Sequence, residues 1–195
     1  MTLIAKIIWC TGVVCWFIIR YPHARRSKRV SKVKIAHRPS ELVLMTISAS
    51  GLGIVPAIYA FTPLLRFADY DPWLPQLLLG TAVFAVALWL FRKTHKELGR
   101  NWSVTLELRE QHTLITTGIY RHVRHPMYSA FWLWAIAQAL LLPNLIAGLA
   151  GIAGFGILFF FRVGREEALM IEMFGEQYRA YMKQDRKSTR LNSSH

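Results

Sequence analysis

Cysteine is scarce in this 195-residue chain, which contains only Cys10 and Cys15, both in its first apolar segment. Two cysteines are too few for a disulfide scaffold or a cysteine-based metal site, and their apolar setting favours use as small packing residues. The sequence therefore predicts neither a disulfide framework nor a metal centre.

Charged residues are also scarce, and acidic ones especially. Only 18% of the residues are charged and 53% are hydrophobic, with a mean hydropathy of +0.28, which is too apolar for an ordinary soluble domain. The 24 basic residues outnumber the 11 acidic ones and give a net charge of +13. Such an excess is typical of a nucleic-acid surface or of the cytoplasmic side of a membrane protein, so the positions of the basic residues must distinguish the two.

Five apolar segments follow one another along the chain. They comprise residues 3–19, 42–61, 73–91, 128–142 and 145–161. A spanning helix needs about 17 to 25 residues, so the fourth segment must either extend back through Pro126 or lie in a thinned or protein-buried region. Pro143 and Asn144 predict a tight turn, which makes the last two segments an antiparallel helical hairpin.

The basic residues form three clusters, each after an odd-numbered apolar segment. Eight lie within residues 20–38, seven within 92–124 and seven within 162–190. The first segment lacks the basic start and cleavage pattern of a signal peptide, so it counts as a span. Five spans then place all three clusters on one side, as the positive-inside rule requires, and this explains the charge without nucleic acid. We predict an all-α integral membrane protein with about five transmembrane helices, its N-terminus outside and its C-terminus cytoplasmic.

A long loop precedes the fourth apolar segment. In residues 103–118, SVTLELREQHTLITTG, the apolar side chains of Val104, Leu106 and Leu108 alternate with polar ones before a second run rich in Thr and Ile. Alternation of this kind predicts a short hairpin or a pair of extended segments. We expect this loop to lie on the cytoplasmic surface and to cover a site.

The motif RHVRHPMY leads into the fourth segment. Pro126 suits the first turn of a helix, so we expect the helix to begin near His125 and to leave free N–H groups and a partial positive charge there. Arg124 and His125 would surround this anion-binding end, with Tyr120 and Tyr128 as flat, partly polar neighbours. A plainer interpretation is that these residues are anchors in the lipid headgroup layer.

Charged residues also stand at the end of the fifth segment. Arg162 precedes Glu166 by four residues, so the two share a helix face and are predicted to pair, while Glu167 points in another direction. Charges at the end of an apolar span are candidates for function, although some are only solvated helix ends. The predicted hairpin would bring these carboxylates close to the cationic start of the preceding helix.

Three stretches together resemble a known family. They are LGRNWS (98–103), HTLITTGIYRHVRHPMY (112–128) and REEALMIEMFGEQYRAY (165–181). In this order they resemble the isoprenylcysteine carboxyl methyltransferases and, more loosely, the related membrane phospholipid methyltransferases. The resemblance covers residues 98–181 and draws nothing from the first three apolar segments.

The resemblance implies S-adenosylmethionine as cofactor and S-adenosylhomocysteine as product. The implied cofactor-binding residues are His112, Thr113, Leu114, Ile115, Tyr120, His125, Pro126, Met127, Tyr128 and Glu166. Arg162 is implied to bind the substrate, and Arg162 and Glu166 to be the catalytic residues. The chemistry is consistent, since the cofactor's cationic groups favour a carboxylate, its carboxylate a helix start and its adenine an aromatic neighbour. Whether Glu166 or Glu167 contacts the cofactor stays open.

The apolar segments and the motifs together predict a division of the chain. Residues 1–92 would form an N-terminal three-helix membrane region and residues 93–186 a C-terminal catalytic region with its cytoplasmic loop, helical hairpin and C-terminal helix. Residues 187–195, KSTRLNSSH, look like a vector-derived tail, to be left out of fold and function reasoning.

The expected reaction is methyl esterification of the carboxylate of an isoprenylcysteine-type lipidated substrate. The prenyl chain would enter sideways from lipid and the cofactor from the cytoplasm, in a prokaryotic plasma membrane or the endoplasmic reticulum. Alternatives are phospholipid amine N-methylation, an NADPH-dependent sterol-type reductase, which the glutamate pair disfavours, and a non-catalytic membrane scaffold. The sequence leaves the prenyl length and the oligomeric state open.

Overall fold

A computed structural model describes residues 1–27, 34–35, 39–99, 107–108 and 113–191, with side chains for 1–25, 39–99 and 113–183. The helices are α1 (Thr2–Ser27), α2 (Pro39–Ala49), α3 (Val55–Phe61), α4 (Leu74–Leu98), α5 (Pro126–Leu141), α6 (Leu145–Phe174) and α7 (Glu176–Leu191). A π-helical turn, Ser50–Ile54, joins α2 directly to α3. Short 3₁₀ helices lie at Arg66–Ala68 and Gly118–Arg121.

The helical membrane fold predicted from the sequence is confirmed. Within the described part of the chain, four helical stretches are long and apolar enough to cross a membrane: Thr2–Arg25, Pro39–Phe61, Leu74–Leu98 and Leu145–Phe174. Many large apolar side chains on these stretches point away from the protein, among them Phe17, Leu78, Trp89 and Phe160. A bilayer is the solvent in which such a surface is stable.

Helix α5 corresponds to the short fourth segment. It begins at Pro126 and has 16 residues, about 24 Å at 1.5 Å per residue, which is less than a bilayer core of about 30 Å. It does not extend back through Pro126, because proline occupies its first turn. Instead it packs along α4 on one side and α6 on the other, with Trp134, Ala135 and Gln138 buried. Of the two predicted alternatives, the structure therefore has the protein-buried helix.

The helix ends alternate between two faces of the bundle. At one face, which we call the charged face, the ring of His23 in α1 lies against that of His95 in α4, with centroids 4.9 Å apart. The start of α2 meets α6 there, with Arg165 Nη1 3.4 Å from Ser40 Oγ. At the opposite face Lys6 donates a hydrogen bond to the Tyr59 carbonyl over 2.9 Å. The ends of α1, α4 and the apolar part of α6 thus share one face with the starts of α2 and α5.

The predicted turn between α5 and α6 is present. Asn144 is fully buried and caps α6 by accepting a hydrogen bond from Ala147 N at 2.8 Å. Its amide donates to the Leu65 carbonyl at 2.6 Å and to Asp69 Oδ1 at 2.8 Å. One side chain therefore both starts α6 and joins the hairpin to the connection between α3 and α4.

A small antiparallel pair joins the loops at the charged face. Strand β1 (Lys34–Ile35) pairs with β2 (Glu107–Leu108), with Lys34 opposite Leu108. The extended conformation predicted for the loop of residues 103–118 is present at β2, but its partner comes from the loop after α1. The other loop residues up to 112 lie outside the described residues, and so does the predicted covering of the site.

Helix α7 continues to Leu191 and so includes the first residues of the stretch 187–195. The vector-derived origin of that stretch stays a prediction. Residues 192–195 lie outside the described part. Gly175, with φ of +53°, separates α6 from α7 and allows the chain to change direction there.

Candidate functional site

Five side chains meet at the charged face, where α5 begins and α6 leaves the bundle. We call Arg124, His125, Tyr128, Glu166 and Glu167 the polar site. Glu167 Oε1 lies 2.8 Å from Arg124 Nη1 and 3.1 Å from His125 Nε2. Glu166 Oε2 accepts a hydrogen bond from the Tyr128 hydroxyl, and Glu166 Oε1 is 4.0 Å from His125 Nδ1. The helical hairpin thus brings both carboxylates to the start of α5.

One detail of the predicted pairing is wrong. Arg162 was expected to pair with Glu166, but among the described residues it forms an ion pair with Glu41 of α2, with Arg162 Nη2 3.5 Å from Glu41 Oε1. Glu167 points in another direction than Arg162, as expected, and binds Arg124 and His125. Spacing along one helix shows which residues share a face, but the neighbouring helices decide which partner each side chain meets.

The start of α5 is open to an anionic group. His125 is the N-cap residue and no side chain caps the helix there, while Pro126 occupies the first turn. The first N–H groups of a helix have no partner within it, so those of Met127 and Tyr128 can donate to a ligand. Arg124 and His125 lie beside them and both bind Glu167, so anion binding at this helix start stays a prediction.

Tyr120 faces the polar site from the 3₁₀ helix Gly118–Arg121. Burial, followed by the negative charge of Glu166, raises the pKa of its hydroxyl, so Tyr120 stays a neutral donor at physiological pH. Its carbonyl accepts a hydrogen bond from the Tyr181 hydroxyl of α7. The last helix thereby holds the segment that carries Tyr120.

Glu97 anchors this segment from the end of α4, a role that sequence reasoning missed. Glu97 Oε2 accepts a hydrogen bond from Ile119 N at 2.7 Å. Gly118 beside it has φ of +64°, and a Cβ there would lie 2.6 Å from Glu97 Oε2. Only glycine satisfies both conditions, which explains the glycine of the G-x-Y motif.

Helix α7 closes the far side of the polar site. Tyr178 is buried against it, and burial followed by the charge of Glu167 raises the pKa of its hydroxyl. Tyr178 and Tyr181 belong to the predicted F-G-E-x-Y-x-x-Y stretch, and the structure gives both of them packing roles beside the site.

The remaining predicted cofactor residues lie on the segment before Gly118. Thr113 is exposed, and Leu114 and Ile115 are half-buried in an extended stretch leading to the 3₁₀ helix. His112 lies outside the described residues. These positions adjoin the polar site along the chain, and their predicted role stays a prediction.

An apolar cavity of about 340 Å³ opens beside the polar site. Helices α1, α2, α5 and α6 and the π turn line it, with Trp16, Phe131 and Phe155 among its apolar walls. Helix α1 packs on α4 and α5, and α2 packs on α6. The cavity thus lies between two helices held by different neighbours. Tyr128 and Met127 line it as well, so the first turn of α5 belongs both to the cavity and to the polar site.

Two guanidinium groups lie at the charged end of the cavity. Arg20 of α1 and Arg162 of α6 both line it, and Arg20 stacks on the ring of Trp16 at 5.1 Å. Arg162 and its partner Glu41 have side chains only 13% and 11% exposed. The charged end of the cavity thus contains two guanidinium groups and one carboxylate among the described residues. Sequence reasoning assigned Arg20 to membrane topology alone and gave Glu41 no role.

Comparison with known proteins confirms the family resemblance. Residues 78–172 match the isoprenylcysteine carboxyl methyltransferase (ICMT) family. The match includes most of α4, α5 and the part of α6 that carries the glutamates. The family signal therefore begins about twenty residues before the motifs, inside the third apolar segment, where sequence reasoning found only hydrophobicity.

Similar proteins share this region but are longer. Over 89 residues the chain is 35% identical to the protein-S-isoprenylcysteine O-methyltransferase of Schizosaccharomyces pombe, covering 45% of this chain and 38% of that protein. The Dictyostelium discoideum enzyme of the same name is 37% identical over 81 residues, covering 40% and 32%. The human enzyme is 36% identical over 83 residues, covering 43% and 29%. The matches thus span less than half of each relative.

Proposed function

We propose that this membrane protein, whose residues 78–172 carry the ICMT family sequence, methylates the carboxylate of an isoprenylcysteine-type substrate with S-adenosylmethionine as methyl donor. One observation carries the proposal. Tyr128 lines the apolar cavity and also donates its hydroxyl to Glu166 in the polar site. A lipid chain in the cavity and a polar cofactor at the site would therefore meet across a single residue.

The polar site matches the chemistry of the cofactor. Glu166 and Glu167 offer carboxylates to its cationic groups, and the first N–H groups of α5 offer donors to its carboxylate. Tyr120 and Tyr128 offer aromatic faces close by, as an adenine or a sulfonium prefers. When bound, S-adenosylmethionine supplies an electrophilic methyl group attached to a sulfonium sulfur.

The cavity end matches the substrate. A prenylcysteine combines an apolar chain with one carboxylate, and the cavity combines apolar walls with the guanidinium groups of Arg20 and Arg162 at one end. Arg162 would orient the carboxylate through its planar guanidinium, while Glu41 holds Arg162 in place. Arg20 would provide a second cationic contact from the opposite wall.

The reaction needs no general base from the protein. A C-terminal carboxylate has a pKa of about 3.5 and is already ionised near neutral pH. What the chain must do is remove water from this carboxylate and hold it in line with the methyl group. The aromatic residues around Tyr128, namely Phe131, Phe155 and Phe159, pack so as to exclude water on the cavity side.

Access to the site would come from two directions. The prenyl chain would enter from lipid between α1 and α2, which pack on different neighbours. The cofactor would enter from the charged face, which the positive-inside rule places in the cytoplasm. A prokaryotic plasma membrane and the endoplasmic reticulum both fit this arrangement.

The decisive experiment is methyl transfer from labelled S-adenosylmethionine to N-acetyl farnesylcysteine in liposomes, scoring only label that alkali releases as methanol. Alkali-labile label is the expected result, because a carboxyl methyl ester is the only proposed product that alkali cleaves to methanol. Stable label on a phospholipid amine would instead assign lipid N-methylation. Absence of any transfer by folded protein that still binds the cofactor would overturn the proposed substrate class.

A further inference from the structure

We propose that the apolar cavity measures the length of the isoprenoid chain and that Gly53, in the π turn between α2 and α3, marks its far end. The inference rests on the proposed function, since it names the chain that the cavity receives. It concerns the length of the substrate's chain, and Gly53 lies outside the matched residues 78–172.

The depth of the cavity follows from the helices that line it. Its lining extends from Arg20 to Val13 in α1 and from Arg162 to Phe155 in α6, seven residues in each case. At about 1.5 Å of rise per residue, both walls are about 10 Å deep. Met127 to Trp134 on α5 gives the same depth, so three independent walls agree.

The chain length that fits can be stated in isoprene units. Carbon–carbon bonds of about 1.5 Å advance an extended chain by roughly 1.25 Å each, so a four-bond isoprene unit covers roughly 5 Å. Four bonds of the cysteine, about 5 Å, separate its carboxylate from the first isoprene unit, so walls of about 10 Å leave room for the cysteine and about one unit. On the fourth wall Gly53 lies twelve residues, about 18 Å, beyond Glu41, the partner of Arg162. The third unit of an extended chain, at about 15 to 20 Å from the carboxylate, therefore reaches the level of Gly53.

The two glycines of the π turn have different surroundings. A Cβ on Gly51 would lie 2.2 Å from the Ala150 carbonyl oxygen of α6, so close helix packing explains that glycine. Gly53 is two residues on, roughly 200° around the helix. Among the described residues, no atom lies within 4 Å of a Cβ built on Gly53, and the φ of Gly53 is not positive. Neither packing nor backbone conformation therefore requires glycine at position 53.

What the glycine at position 53 does is leave space in the cavity wall. The π turn itself is held by Gln138 of α5, whose Nε2 donates to the Gly51 carbonyl at 3.0 Å and to the Ala147 carbonyl at 2.7 Å. π-helical turns free a backbone carbonyl and are frequent at functional sites. The backbone at Gly53 is thus held in place, and the absence of a side chain there leaves a permanent space in the cavity wall.

The test compares three substrates, N-acetyl cysteines carrying geranyl, farnesyl and geranylgeranyl chains, with the variants Gly53→Leu and Gly53→Ala. Gly53→Leu should lower kcat/KM for the farnesyl substrate by about tenfold or more relative to the geranyl one, because a filled hydrophobic subsite discriminates strongly between chain lengths. Gly53→Ala should shift the same ratio less.

The matched control is Gly164→Leu. Gly164 is another helical glycine, and among the described residues no atom lies within 4 Å of a Cβ built on it, but it lies outside the cavity lining. This variant should leave the ratio of kcat/KM for the farnesyl and geranyl substrates unchanged.

A binding measurement separates this inference from the proposed function. Trp16 and Trp134 line the cavity, so tryptophan fluorescence can report chain binding without turnover. If Gly53→Leu forms the ester with an unchanged ratio of kcat/KM for the farnesyl and geranyl substrates, the proposed role of Gly53 is overturned and the proposed function stands. If no ester forms but Gly53→Leu selectively loses farnesyl binding, the role of Gly53 is supported and the proposed function is overturned. If folded Gly53→Leu binds all three chains equally more weakly, the role of Gly53 is also overturned.

Discussion

The two halves of the site are encoded in different ways. The polar site is built on α5 and α6 from charged side chains within a linked motif, and the family match covers its five residues. The wall of the cavity opposite them comes from α1, α2 and the π turn, where the sequence shows hydrophobicity, with Arg20 and Glu41 as charged residues near the cavity. Under the proposed function, the matched region would bind the methyl donor and the unmatched helices would help to select the lipid.

The largest effect should come from Glu166→Gln in the polar site. We expect binding of S-adenosylmethionine to fall by roughly a hundredfold or more, because removing one charged partner from an enclosed pair costs about 2 to 5 kcal/mol. Isothermal titration calorimetry measures this, with thermal unfolding in detergent as the fold check. Glu176→Gln is the matched control, since Glu176 is 81% exposed and contacts only Arg179 among the ion pairs of the described residues. Normal cofactor binding by Glu166→Gln would favour a non-catalytic scaffold.

The opposite half should respond in substrate kinetics alone. Replacing Arg162 by itself would leave Glu41 buried without its cation, so the variant to make is Arg162→Met with Glu41→Gln. We expect kcat/KM for the prenylcysteine to fall about 10- to 100-fold, with the dissociation constant of S-adenosylmethionine unchanged. Glu41→Gln alone keeps the guanidinium and should lose less. A parallel loss of cofactor affinity in the double variant would contradict the division between the two halves.

A smaller effect is expected at Gly118, where the polar site depends on backbone geometry. Gly118→Ala forces a Cβ into Glu97 and into a positive φ, so we expect about tenfold weaker cofactor binding as the segment carrying Tyr120 shifts. Gly99→Ala shares the positive φ, +50°, but meets no atom within 4 Å. Both should lose about 1 kcal/mol of stability from the backbone term, and only Gly118→Ala should lose affinity. Equal affinities of the two variants for S-adenosylmethionine would show that the contact between Gly118 and Glu97 does not position the cofactor site.

The smallest expected effect is that of Gln138→Met, which removes one hydrogen bond to the π turn and one to the first turn of α6. These bonds contribute about 1 kcal/mol each, so we expect the apparent Tm in detergent to fall by a few degrees. Cofactor affinity should not change, although Gln138 lies on the same helix as His125. If the affinity did change, the substrate half and the cofactor half would be coupled through α5.

Much of the fold could be predicted from the sequence because bilayer burial has simple requirements. Apolar length, the position of Pro126 and the Pro143–Asn144 turn indicate the helices, since each constrains the backbone locally. The start of α5 at Pro126 was predictable for the same reason. The partner of Arg162 was not, because Glu41 belongs to α2 and the spacing of residues within α6 contains no information about it. The pairing of β2 with β1 was unpredictable on the same ground.

The sequence by itself determined that the chain is a helical membrane protein with its charge gathered at one face, because hydropathy and helix-terminus chemistry act over a few neighbouring residues. It also determined the family of the polar site through the linked motifs. The tertiary structure alone decided that Arg20, Glu41 and Gly53 share one cavity with Tyr128. Those residues are more than thirty positions away from Tyr128 along the chain, and only the packing of α1 on α5 and of α2 on α6 places them around the same space.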